Sequence, residues 1–153
     1  MSQLELKLPP LLLCAVFAVT IVALAHFVPA ANIAFPGHQA VAIASLLFGV
    51  TVAVAGVVAF RTARTTVNPM APGRATAVVA SGIYRWSRNP MYLGMAATLF
   101  AVACWRSTLP GYFFVLAFCA HMTKFQIKPE ERALLANFGR EFSDYLHKVR
   151  RWL

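Results

Sequence analysis

The chain has 153 residues, of which 59% are hydrophobic and 12% charged, with a mean hydropathy of +0.65. Soluble domains carry about 25% charged residues, so this composition excludes an ordinary water-soluble globule and leaves room for one domain. The net charge of +9 invites a nucleic-acid partner, but the basic residues gather at the ends of apolar segments instead of along one polar face. That is how lysine and arginine set membrane topology and meet anionic headgroups, and no nucleic-acid partner is expected.

Residues 8–28 are the first uninterrupted apolar stretch, long enough for the roughly 20 helical residues that a hydrocarbon core requires. Pro9 and Pro10 suit its first turn, where a missing N–H is harmless. Glu5 and Lys7 precede the stretch and no clear cleavage site follows, so it reads as a retained helix. A short uncharged connection leads to residues 39–60, a second span rich in Ala, Val and Gly, as closely packed membrane helices are. Segment 61–90 differs in kind. It holds Arg61, Arg64, Arg74, Arg85 and Arg88 with no acidic residue, and Pro69, Pro72, Gly73 and Gly82 make it turn-rich. The positive-inside rule places it in the cytoplasm.

Residues 91–105 form a third, shorter apolar run, and after a turn at Arg106, Ser107, Pro110 and Gly111, residues 109–127 form a fourth. Residues 128–153 are charged, with Leu134, Leu135, Phe138, Phe142, Tyr145, Leu146 and Val149 at spacings of three and four. That pattern predicts an amphipathic helical segment on the bundle or in the interface. The expected fold is an all-α polytopic membrane bundle, one domain over residues 1–153. It has about four transmembrane helices and cytoplasmic N- and C-termini, in a bacterial inner membrane. Cys14, Cys104 and Cys119 lie in apolar runs without CxxC or Cys/His spacing, and read as small core residues. No metal site is expected.

Two features carry possible chemistry. After Glu5 the next acidic residues are Glu130 and Glu131, adjacent to each other where the fourth span ends. Pro129-Glu130-Glu131 is favourable first-turn chemistry for a helix start. Ionised groups at a low-dielectric boundary also demand partners, and such a pair can accept hydrogen bonds from the hydroxyls or amine of a polar cofactor. The second feature runs from Ser81 to Gly94 and sets Arg85, Arg88, Asn89, Tyr84 and Tyr92 at the mouth of the third helix. Asn89-Pro90 reads as a cap followed by a first-turn proline, and a helix N-terminus suits a carboxylate or phosphate. The competing reading is an interfacial belt of Tyr, Trp and Arg.

Several of these motifs, in order, resemble the isoprenylcysteine carboxyl methyltransferase family, membrane enzymes related to the phospholipid methyltransferases. They are Thr65-Thr66-Val67-Asn68-Pro69, Ala75-Thr76-Ala77-Val78-Val79, Gly82-Ile83-Tyr84-Arg85 and Arg88-Asn89-Pro90-Met91-Tyr92-Leu93-Gly94. Glu130-Glu131, Leu134, Phe138-Gly139, Glu141, Tyr145, Val149 and Arg151-Trp152 continue the likeness to the end of the chain. The resemblance implies S-adenosylmethionine as cofactor, contacted by Val78, Val79, Tyr84, Asn89, Pro90, Met91, Tyr92 and Glu130. It implies a lipophilic or lipid substrate arriving from the bilayer, with Gln126 and Arg88 as substrate-binding positions. The family's usual histidine before Pro90 is Asn89 here, and a histidine of some eukaryotic members is Thr76. At Gln126 those members carry an arginine for the substrate carboxylate; Lys124 or Lys128 are the nearby substitutes.

Methyl transfer from a sulfonium is an in-line displacement that mainly needs alignment and exclusion of water. An amine acceptor would also have to lose a proton, for which Glu131, Tyr92 and His121 are the candidates, Glu131 and Tyr92 foremost. Two rival readings remain: a membrane reductase using NADPH, with Arg85 and Arg88 on a phosphate, and a non-enzymatic small membrane protein. Composition leaves the acceptor and the oligomeric state open.

Overall fold

The computed structural model describes residues 5–65 and 68–153; Thr66 and Val67 of the first family motif lie outside the described residues. All regular structure among these is helical, apart from one isolated antiparallel bridge between Asn32 and Thr108. The helices are α1 (Pro10–Phe27), α2 (His38–Thr62), α3 (Pro90–Trp105), α4 (Leu109–Met122), α5 (Lys128–Phe138) and α6 (Arg140–Lys148). Sequence punctuation sets the ends of the first three. Pro10 and Pro90 occupy the first turns of α1 and α3, and Gly37 enters α2 with φ +81°, a conformation that glycine adopts without strain.

α1 and α2 are long and apolar enough to cross a membrane, with mean hydropathies of 2.3 and 2.5. α3 is also apolar but has 16 residues. The long helix pair of the bundle is α2 with α3, and small residues explain why they meet closely. A Cβ added to Gly94 would lie 2.5 Å from the Gly49 carbonyl oxygen and 2.8 Å from the Ala53 methyl. With the backbones that close, dispersion contacts replace the hydrophobic drive that lipid cannot supply. The other side of α3 packs on α1 and α4 around Ile21, Leu99, Phe118 and Met122, all buried. Phe17 meets Phe118 edge-to-face at 5.5 Å between ring centroids.

The Glu130-Glu131 pair does not begin a helix, which corrects the helix-start reading. Helical backbone continues from α4 through a π-helical turn, Thr123–Ile127, directly into α5. Pro129 explains the turn. It has no N–H for the carbonyl of Phe125, four residues earlier, and in a regular helix its ring would crowd that carbonyl. The wider turn lets Lys128 N–H bond to the Thr123 oxygen, while the Phe125 oxygen accepts the N–H of Leu6 at 3.1 Å. The Glu5 carboxylate pairs with Arg132 at 2.7 Å beside this contact. The start of the described chain is therefore bound to the same end of the bundle as α5.

The predicted C-terminal amphipathic segment is helical but interrupted. Gly139, at φ +53°, separates α5 from α6, and after Lys148 the chain turns extended. This tail crosses back to the start of α3, where Arg88 N–H bonds to the Arg150 oxygen at 3.0 Å.

Candidate active site

A cavity of ≈ 90 Å³ lies at this polar end, bounded by Phe60 of α2, the first turn of α3, α5, α6 and the Ala75–Val79 segment. Its wall is mostly apolar: Val78, Val79, Tyr84, Met91, Ile127, Leu134 and Phe142. The polar contributions come from Arg88, Asn89, Tyr92, Glu130, Glu131 and Tyr145. Three segments distant in sequence meet here, and each is fixed locally. Phe60 packs edge-on against Tyr84 at 5.2 Å, and the Tyr145 hydroxyl donates to the Tyr84 carbonyl at 2.8 Å. Burial, followed by the nearby Tyr145 and Glu130, raises the Tyr84 phenol well above its ordinary range, so it stays protonated.

Glu130 is the centre of the polar network. Its Oε1 accepts from the Tyr92 hydroxyl at 2.5 Å and from Gln126 Nε2 at 2.6 Å; among the described residues no hydrogen bond reaches Oε2. Gln126 uses its other amide proton on the Pro69 carbonyl at 2.8 Å and is 3% exposed. Since both partners are acceptors, the amide nitrogen must face them. Gln126 and Glu130 stand four residues apart on continuous helical backbone, the spacing at which side chains on one helix face meet. Burial pushes the Glu130 carboxyl up to about 7; the Tyr92 and Gln126 hydrogen bonds oppose this, and the neighbouring Glu131 charge adds to it.

Glu131 is held differently. Its Oε1 accepts from Arg88 at 2.9 Å and from Arg151 Nε at 3.0 Å, and Oε2 accepts from Arg151 at 2.7 Å. Burial alone would raise this carboxyl, but the two guanidiniums outweigh it and hold Glu131 below its ordinary value. Arg88 also donates to the carbonyls of Leu146 and Val149, at 2.8 and 2.6 Å. The two adjacent carboxylates thus have separate tasks: one faces a cavity, and the other fastens the tail to the α3 entry.

The residues singled out in the sequence fall into three groups. Val78, Val79, Tyr84, Asn89, Met91, Tyr92, Arg88, Glu130 and Glu131 line one cavity. Pro90 and Gln126 sit behind that wall, both buried. His121 lies on α4 against Phe125 and lines no part of the cavity. One local detail departs from expectation. Asn89 occupies the position before α3 but makes no side-chain cap; its amide donates instead to the Arg151 carbonyl at 2.9 Å. The tail competes successfully for the amide, and the first-turn N–H groups of Met91 and Tyr92 keep no intrahelical acceptor. Sequence reasoning missed Phe60, Ala75, Ala77 and Ile127. Phe142 and Tyr145 showed in the helical periodicity, but periodicity does not say which neighbour a face meets.

The donors and acceptors present suit an amphoteric nucleoside ligand such as S-adenosylmethionine. Arg88 Nε is buried without a partner among the described residues, which suits a carboxylate. Glu130 Oε2 suits a hydroxyl or ammonium, and the aromatic wall suits a base. The cavity is smaller than the roughly 300–1,000 Å³ of small-molecule pockets, room for one end of such a ligand and not for the whole of it.

Fold and site together define an all-helical protein with membrane-length apolar helices and a polar network of paired carboxylates at one end of the bundle. The sequence model of the phospholipid methyltransferase family matches residues 38–141, from the first turn of α2 to the start of α6. The chain belongs to that family, a family of membrane methyltransferases. It is also similar to an uncharacterized protein of Haemophilus influenzae, 38% identical over 63 residues, which are 41% of this chain and 100% of the relative. No solved structure matches the chain.

Proposed function

We propose that the protein is an S-adenosylmethionine-dependent methyltransferase. Its acceptor is lipophilic, an amine or carboxylate on a lipid-like or isoprenoid-like molecule, and the reaction lies at the cytoplasmic face of a bacterial inner membrane. In this reading α3 and the α4 helix also lie in the bilayer, giving four crossings. The pairing of Glu5 with Arg132 supports placing both termini on one side. A single domain over residues 1–153 is part of the same reading.

The observation that carries the proposal is Glu130: a half-buried carboxylate fixed through one oxygen by Tyr92 and Gln126, with the other oxygen left for a ligand in the cavity that Arg88 also lines. When bound, the cofactor supplies a methyl group on a sulfonium that already carries its leaving group. Val78, Val79, Tyr84, Asn89, Pro90, Met91 and Tyr92 shape and orient one side of the site, and Glu130 binds from the other. Alignment of two reactants and exclusion of water supply about 7–11 kcal/mol of barrier reduction in such sites. Tyr92 and Gln126 act by holding Glu130. Glu131 and Arg88 act by holding the tail, since a carboxylate shared between two guanidiniums is a poor proton acceptor.

The reductase reading is less well supported because Arg85, one of the two arginines it needs on a phosphate, is exposed and lines no part of the cavity. Calorimetry of the purified protein with S-adenosylhomocysteine and, in parallel, NADPH separates the readings. Binding of the first alone is expected, and folded protein that ignores S-adenosylhomocysteine would refute the proposal. Labelled S-adenosylmethionine with a lipid extract then identifies the acceptor class.

A further inference from the structure

The opposite end of the bundle holds a second cavity, unrelated to the polar network. It is a groove of ≈ 330 Å³ between α1 and α2, with α3 as its floor. Val22 forms one wall, Ile43 and Leu46 the other, and Ala101 the floor, while Trp105 and Arg106 stand at its end. The small side chain of Ala101 leaves the groove open, and the wall residues are exposed. Leu46 lies eight residues into α2, so at 1.5 Å per residue the groove reaches about 12 Å in from the end of the bundle.

Charge decides what fits. Arg106 is the one Lys, Arg, Asp or Glu in the two connections at this end, residues 28–37 and 106–108. It is exposed and makes no ion pair among the described residues. Trp105 beside it is 54% exposed, as tryptophans at headgroup depth are. A lone guanidinium above an apolar trough matches a phosphate with an acyl chain below it.

We propose that this groove binds one anionic phospholipid of the leaflet opposite the candidate active site. Its phosphate rests on Arg106 and the upper part of one acyl chain lies along α3 between α1 and α2. The site does not depend on the methyl-transfer reading, since none of its residues touches the first cavity.

Native mass spectrometry of the full chain, released from nanodiscs of phosphatidylglycerol and phosphatidylcholine in equal parts, tests this. Wild type should retain one phosphatidylglycerol in preference to phosphatidylcholine. Arg106→Gln should lower that preference about tenfold, and Val22→Phe, which fills the groove from an exposed wall, should reduce retention of both lipids. Equal retention of the two lipids by wild type, an unchanged preference in Arg106→Gln, or a dimer mass lost in Val22→Phe would each overturn the proposal. Unchanged helicity and S-adenosylhomocysteine affinity in both variants would show that the fold and the first cavity are intact.

Discussion

A half-buried carboxylate that titrates near neutrality makes cofactor affinity depend on pH in a calculable way. With Glu130 titrating at about 7, about one-tenth of the free protein carries the charge at pH 6 and about nine-tenths at pH 8. If a cationic ligand binds only the ionised form, its affinity rises up to about tenfold over that range, and binding at pH 6 releases nearly one proton. S-adenosylmethionine, with its sulfonium, should show a steeper rise than S-adenosylhomocysteine. Calorimetry at pH 6, 7 and 8 in buffers of different ionisation enthalpy measures both affinity and proton release. Glu130→Gln should bind more weakly at pH 8 and lose the slope. A flat profile in wild type, or the same slope in Glu130→Gln, refutes the assignment of ligand binding to this carboxylate. The unliganded protein should show the opposite trend. Because the folded value lies above the ordinary 4.5, the stability that Glu130 contributes is full below about pH 4.5 and is lost as pH rises through 7.

Three further outcomes are expected. Gln126→Ala removes a hydrogen bond that lowers the Glu130 value, so the midpoint of the affinity profile should move to higher pH; an unmoved midpoint counts against the positioning role. A double-mutant cycle of Glu131→Gln and Arg151→Gln, followed by thermal unfolding, should show a coupling of about 1 kcal/mol, discounted because the Arg151 side chain is 34% exposed. That contribution is present above the ordinary carboxylate value and lost as pH falls, and coupling near zero at pH 7 contradicts the clamp. Gly94→Ala should destabilise by about 1–3 kcal/mol because its Cβ would meet the Gly49 oxygen at 2.5 Å. Gly73→Ala, with nothing within 4 Å, should stay within about 0.5 kcal/mol; equal effects would show that α2 and α3 are not closely packed.

Helix positions were legible because the apolar runs are bounded by proline, glycine and charge. The observed α1, α2 and α3 begin and end within two residues of the expected spans. The membership of the cavity was legible in part, because a resemblance carries residues that touch one ligand without saying what holds them. Among the partners of Arg88 and Asn89 are carbonyls of α6 and the tail, at Leu146, Val149 and Arg151. A carbonyl has no signature in sequence, since every residue carries one. For the same reason Asn89 read as a cap: Asn before Pro is good cap chemistry, and only a tertiary acceptor that reaches the amide first overrides it.

Pro129 shows the limit most sharply. Pro-Glu-Glu after an apolar run satisfies every local rule for a helix start, and the same proline is equally compatible with a helix that widens by one residue, provided the abandoned carbonyl finds a donor. That donor is Leu6, at the far end of the chain. The choice between the two therefore rests on a long-range contact, not on local preference. Its consequence is functional, because continuous helix keeps Gln126 and Glu130 on one face, four residues apart. A true helix start at Pro129 would have left both carboxylates at a solvated helix end, whereas the continuous helix sets Glu130 half-buried against the candidate cofactor cavity.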